Sequence, residues 1–205
     1  YDKAAPLQVT EVGRETRGAA VVRDLTFVPV DQPVKAYLVT PAGATGPQAA
    51  ILYVHWLGEP ETSNRTEFLN EAVALAGRGV TSLLVDAMWS ERKWYGQRIP
   101  EQDKAQAVHQ VTEIRRAMDL LLAQPNLDLK RVAFVGHDFG AIVAPGCALA
   151  RPDVFRSVVL MSAPFTGPPP LPFDTVDAGP VAKPADLIHR DLANLCPRQR
   201  HAEIY

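Results

Sequence analysis

The chain has 205 residues, 47% hydrophobic and 21% charged, with a formal net charge of −2. This is the profile of one globular core. It excludes partners recognised mainly by charge, such as nucleic acid or an anionic membrane surface. No apolar run reaches the length of a membrane span, and Tyr1-Asp2-Lys3 does not open a basic-then-apolar leader, so a cytoplasmic location is expected. The chain does not begin with Met, which reads as a processed or trimmed start. Two cysteines, Cys147 and Cys196, form no spaced metal pattern. Cys147 lies among small apolar residues and reads as a buried thiol. No cofactor is called for.

In chain order, residues 1–19 are polar and read as an irregular surface arm. Residues 21–30 and 34–39 read as two strands of an antiparallel hairpin around Pro33. After a loop rich in Pro, Gly and Ala, residues 49–54 form a continuous apolar run, the mark of a strand buried on both faces. His55-Trp56-Leu57-Gly58 follows it. Thr62 or Ser63 is placed to cap a helix running to Leu75 or Ala76, which Gly77 and Gly79 end. Residues 81–85 form the next buried strand. The loop after it carries Asp86, Trp89, Arg92, Lys93, Trp94, Tyr95 and Arg98. Loops at the carboxyl ends of parallel strands lie over the active site, which makes Trp89 the candidate substrate-binding side chain. A solvated loop with the indole packed on its flank is the alternative. Residues 103–124 are the clearest helix, with Val108, Val111, Ile114, Met118, Leu121 and Leu122 at three- and four-residue spacing. His109 lies beside that stripe as a surface residue. Residues 131–135 and 155–161 are further buried strands. The alternation predicts an α/β fold, with a mostly parallel sheet, helices on both faces and an antiparallel N-terminal edge.

Between the last two strands stands Gly136-His137-Asp138-Phe139-Gly140, followed by the small apolar segment Ala141-Ile142-Val143-Ala144. Strand, Gly-x-Asp-x-Gly, helix is the context of a nucleophile elbow. The two glycines leave room for a sharp, strained turn. Asp138 is pushed out above the sheet edge, where free helix N–H groups favour an anion. Pro145 interrupts the helix and should kink it or shift its first turn.

This stretch resembles the elbow of α/β-hydrolases that carry aspartate where esterases carry serine, such as epoxide hydrolases and haloalkane dehalogenases. The resemblance covers roughly residues 20–165. Residues 35–58 also resemble the dienelactone-hydrolase branch. The resemblance implies an α/β-hydrolase fold with Asp138 as nucleophile and an oxyanion hole built from backbone N–H groups. One donor is that of Phe139, after the nucleophile. The other comes from the turn after residues 49–54, where the family usually shows His-Gly and this chain shows His55-Trp56. Trp56 is the expected donor, with Leu57 second, and His55 is expected to hold the loop by hydrogen bonds. The histidine at position 137 belongs to the elbow and is not the family's base.

A carboxylate is suited to in-line attack on a saturated carbon bearing a leaving group, forming an alkyl ester that water then hydrolyses. An epoxide oxygen and a halide both fit. Dehalogenases of this kind often place Trp after the nucleophile to hold the halide, whereas Phe139 offers no donor. An epoxide hydrolase is therefore the favoured expectation. A dienelactone-hydrolase-like esterase or lactonase, a haloalkane dehalogenase and a non-catalytic binding module are the alternatives. The expected partner is a small-molecule substrate, with a homodimer as the candidate assembly.

After Ser162 the alternation stops. Residues 1–162 are read as the hydrolase core, and residues 163–205 as a Pro-rich segment and the start of a cap or lid. A short helix is expected over 185–195, and no strand of the main sheet. The fold is thus expected to lack its last strands. No histidine, including His189 and His201, follows a late strand as the base would. The enzyme reading therefore requires a His-bearing C-terminal part.

Overall fold

The computed structural model describes residues 1–59 and 61–163. The expectations for residues 164–205 lie outside these. Among the described residues seven strands form one sheet: β1 (Thr10–Arg17), β2 (Ala20–Phe27), β3 (Val34–Pro41), β4 (Gln48–Val54), β5 (Val80–Val85), β6 (Leu127–His137) and β7 (Ser157–Met161). Their spatial order is β1-β2-β3-β5-β4-β6-β7. The pairings β1–β2, β2–β3 and β3–β5 are antiparallel. Those of β4 with β5, β4 with β6, and β6 with β7 are parallel. The α/β architecture and the antiparallel edge follow the alternation read in the sequence.

Every residue of β4 and β5 is buried, the polar Gln48, Thr81 and Ser82 included, as befits central strands covered on both faces. Alternate side chains feed two cores. On one face Leu52, Val54, Leu83, Val85 and Phe134 pack against Ile114, Met118 and Leu121 of α3 (Asp103–Leu122) and Val143, Ala144 and Cys147 of α4 (Phe139–Ala150). On the other, Ile51, Tyr53 and Leu84 pack against Leu69, Ala72 and Ala76 of α1 (Leu69–Ala76). Each large apolar side chain so buried stabilises the fold by about 1.5–3 kcal/mol. A short helix α2 (Trp94–Gln97) lies in the loop after β5. None of the described helices is long and apolar enough to cross a membrane.

Three local expectations are corrected. Residues 10–17, read as part of an irregular arm, form the edge strand β1, paired along its length with β2. Its side chains are almost all exposed, so it has no apolar face to reveal a period of two. Its cross-strand support is polar, with Glu11 bonded to both Arg14 and Arg23. The helix expected from Thr62 or Ser63 begins instead at Leu69, because both hydroxyls serve the turn after β4. In α3 Val108, expected on the apolar stripe, is exposed, while Gln110, Glu113 and Arg116 are buried. The Arg116 guanidinium donates to the carbonyls of Lys3, Ala5 and Pro29 and so fastens the N-terminal residues to the helix. Pro145 lies inside α4, which nonetheless continues to Ala150.

Candidate active site

Parallel pairing of β4 with β6 sets the site. Val54 stands opposite Gly136 in the register, so the two strands end side by side and their following turns meet. Asp138 forms the elbow between β6 and α4, with φ 50° and ψ −110°. Asp tolerates positive φ mainly in the left-handed helical region, and ψ −110° takes Asp138 outside it; such strain concentrates at functional positions. The Asp138 N–H is held by the carbonyl of Met161 at 2.9 Å, and its carbonyl accepts the Ile142 N–H at 3.1 Å. The glycines are required by the packing. A Cβ at Gly136 would collide with the carbonyl of Gly140, and one at Gly140 with the carbonyl of Val54.

The turn after β4 presents two consecutive N–H groups. That of Trp56, the expected oxyanion donor, goes instead to Glu67 Oε2 at 2.8 Å. That of Leu57 donates to Asp138 Oδ2 at 3.2 Å. The correction has a local cause. The carbonyl of Trp56 is held by Ser63 Oγ at 3.0 Å and by His55 Nδ1 at 2.8 Å. The peptide joining Trp56 to Leu57 is planar and trans, so fixing its carbonyl aims its N–H the opposite way. Phe139 opens α4, where the N–H groups of the first turn have no intrahelical partner.

His55 is the structural residue its sequence position suggested. It is 2% exposed. Its Nε2 accepts the Ala87 N–H at 2.9 Å, so its proton lies on Nδ1 and is donated to Trp56. Burial lowers its pKa to about 4, partly opposed by the bond to the Trp56 carbonyl. His137 points away from Asp138. Its Nδ1 is bonded to Glu67 Oε1, and its ring lies over that of Trp56 with 5.5 Å between centroids and 6° between planes. His109 is on α3, beside Glu113 and Asp31. None of the three described histidines is placed as a base for Asp138.

Trp89 is 2% exposed. Its indole N–H donates to the His55 carbonyl at 3.2 Å, and its ring packs on Phe139 with 5.5 Å between centroids. The structure therefore puts Trp89 behind the site. Trp94, which contacts both Trp89 and Phe139, lines two clefts of about 560 and 510 Å³, and neither cleft is lined by Trp89, Leu57, Asp138 or Phe139. The residue that sequence reading missed is Glu67. Its signal was hidden because it falls in a segment read as the first turns of a helix, where an acidic residue is ordinary.

No family model matches the chain. It resembles solved structures of an acetyl xylan esterase from a Paenibacillus species, with TM-score 0.57, 20% identity, and 75% of this chain and 52% of that one covered. It also resembles a dienelactone hydrolase-like promiscuous phosphotriesterase from metagenomic libraries, with TM-score 0.55, 19% identity, and 71% and 60% covered. The chain has the α/β-hydrolase fold. Within that fold Asp138 occupies the strand-to-helix elbow of β6 and α4. Among curated proteins the chain is similar to one named epoxide hydrolase from Caballeronia sordidicola, at 33% identity over 127 residues. That match covers 62% of this chain and 34% of the relative. The chain thus spans about a third of the length of that relative and between 52% and 60% of those two solved structures.

Proposed function

We propose that the chain is part of a hydrolase in which Asp138 is the nucleophile and an epoxide the substrate. The observation that carries this reading is the Leu57 N–H aimed at Asp138 Oδ2. A donor so placed suits an oxyanion formed at the Asp138 carboxyl carbon, as ester hydrolysis requires. The similarity to a protein named epoxide hydrolase supports the same choice.

In this reading Oδ1, the oxygen not bound by Leu57, attacks a ring carbon of the epoxide. The carbon–oxygen bond of the ring breaks, and its electron pair goes to the departing oxygen, which takes a proton from water or an acid. Water then adds to the carbonyl carbon of the ester, passing a proton to a general base. The N–H groups of Leu57 and Phe139 hold the oxyanion on Oδ2. Collapse expels the alkyl oxygen as the second hydroxyl of a diol and restores the carboxylate. His55, His109 and His137 are committed elsewhere, so the base is to be sought outside the described residues.

A haloalkane is less well served. Phe139 has no donor, and the indole N–H of neighbouring Trp89 is taken by the His55 carbonyl. The esterase reading draws on the solved structures of similar fold, but a carboxylate attacking an ester would form a reactive anhydride. The test is a panel of styrene oxide, a 1-haloalkane and an aryl acetate, assayed with the full-length protein and its Asp138→Asn variant. Turnover of the epoxide, lost in the variant, is expected. Ester turnover that survives Asp138→Asn would contradict the reading.

A further inference from the structure

The carboxylate of Glu67 bridges two residues, each of which precedes one member of the Leu57–Asp138 pair. Its Oε2 accepts the Trp56 N–H at 2.8 Å, and its Oε1 is bonded to His137 Nδ1. The rings of Trp56 and His137 stack. The two lips of the site are therefore joined three times, directly between residues 57 and 138, by the ring stack of residues 56 and 137, and through Glu67 between those same two residues.

We propose that Glu67 is a positioning residue that selects which backbone N–H faces the nucleophile, deepening the Asp138 reading on which its catalytic consequence rests. By occupying the Trp56 N–H it fixes the peptide before Trp56. His55 and Ser63 fix the carbonyl of the peptide after it. With both flanking peptides held, the Leu57 N–H can point only toward Asp138. Glu67 is itself anchored by its neighbour Arg65, whose guanidinium binds Asp24 at 2.7 and 3.1 Å and whose backbone N–H donates to Asp86 at 2.8 Å. The carboxylate is largely covered and so screened little by solvent, with 14% of its side chain exposed.

The role acts unequally on the two chemical steps. When Asp138 attacks, its charge is dispersed into the ester, and the Leu57 N–H gains nothing. When water attacks, charge returns to Oδ2, and the same N–H stabilises it. A displaced Leu57 N–H should therefore slow hydrolysis of the ester and leave its formation nearly unchanged.

Two readouts on the full-length protein test this. The first, amide hydrogen exchange of Trp56 and Leu57 by NMR, needs no substrate. In Glu67→Ala both amides should lose protection, about tenfold or more. In Glu67→Gln, whose amide oxygen can still accept the Trp56 N–H, both should stay near wild type. The second is the fraction of enzyme present as the covalent ester during turnover of styrene oxide, read by intact mass. It should rise in Glu67→Ala as hydrolysis falls about 10- to 100-fold, less than the roughly 100- to 1000-fold loss of a missing oxyanion donor because the Leu57 N–H is displaced and not removed, and it should return to the wild-type level in Glu67→Gln. Leu57 protection unchanged in Glu67→Ala would overturn the proposal, as would a fall in turnover with no rise in the ester fraction. If Glu67→Ala does not fold, Glu67→Met keeps the bulk of the side chain and removes both oxygens, and with them the acceptor of the Trp56 N–H; unchanged Leu57 exchange there would overturn it equally. A wild-type protein that forms no ester contradicts the Asp138 reaction, while Leu57 exchange still decides the role of Glu67.

Discussion

Leu57 and Asp138 are 81 residues apart in the chain, and the N–H of one donates to the carboxylate of the other at 3.2 Å. The contact follows from the central pairing of the sheet. Val54 sits opposite Gly136, and Gly140 lets α4 approach the end of β4 closely enough that no side chain fits between them. Gly140→Ala tests this close approach. Its new methyl meets the Val54 carbonyl, a backbone group with little freedom to move. The gain in helix propensity, about 1 kcal/mol, is outweighed by overpacking. A net loss of about 2 kcal/mol in urea unfolding is expected, together with lost activity. Unchanged stability would mean that α4 is farther from β4 than described.

The strain at Asp138 makes a separate prediction. At φ 50° glycine is at ease and alanine is not. Asp138→Gly and Asp138→Ala both remove the carboxylate and its bond to Leu57. The glycine variant should nonetheless be the more stable by about 1 kcal/mol, the strain released less the extra entropy of an unfolded glycine. Equal midpoints in urea would show a relaxed elbow.

His55 should make stability depend on pH. Its pKa is depressed to about 4 in the folded state by burial, against about 6.5 unfolded. Between those values the unfolded chain binds more protons, so stability rises with pH. The contribution is complete above about pH 6.5 and is lost as pH falls toward 4, by roughly 3 kcal/mol in all. Burial raises the carboxyl pKa values of Asp86 and Glu113, and their contributions run the opposite way, lost as pH rises through their folded pKa values. The His55 contribution is therefore read as the difference between wild type and His55→Gln in urea midpoints from pH 4 to 8. A difference that does not vary with pH would contradict a neutral buried imidazole.

Trp89→Phe separates support of the site from contact with substrate. It leaves the His55 carbonyl without the indole donor and thins the packing against Phe139. A loss of about 1–3 kcal/mol in stability is expected, with KM for styrene oxide changed less than twofold. A large rise in KM at unchanged stability would return Trp89 to the pocket wall.

The architecture was legible in the sequence wherever side chains face a core. β4 announces itself as an unbroken apolar run from Ala49 and β5 by Leu83, Leu84 and Val85, and the elbow by two glycines at positions where a Cβ would have no room. β1 was not legible, because an exposed edge strand held by Glu11, Arg14 and Arg23 has no apolar period. The buried face of α3 was misjudged at Val108 because Arg116 is buried there by accepting carbonyls rather than by apolar contact. At the site, Asp138 could be named from its motif. Which N–H of the turn faces Asp138 could not, since the two peptides are held by side-chain bonds from His55, Ser63 and Glu67. Side-chain-to-backbone bonds of this kind leave no periodicity in a sequence.

The central claim is the covalent ester on Asp138, and a single turnover in oxygen-18 water tests it most directly. Excess enzyme is mixed with limiting styrene oxide in labelled water, digested with trypsin and analysed by tandem mass spectrometry. The expected peptide runs from Val132 to Arg156, because the Arg151–Pro152 bond resists cleavage, and it holds two side-chain carboxylates, Asp138 and Asp153. Fragment ions distinguish them. One heavy oxygen should enter Asp138 and none Asp153, because water adds to the ester carbonyl and an original carboxylate oxygen leaves with the diol. Heavy oxygen found only in the diol, with Asp138 unlabelled, would mean that water attacks the epoxide directly and would contradict the covalent mechanism.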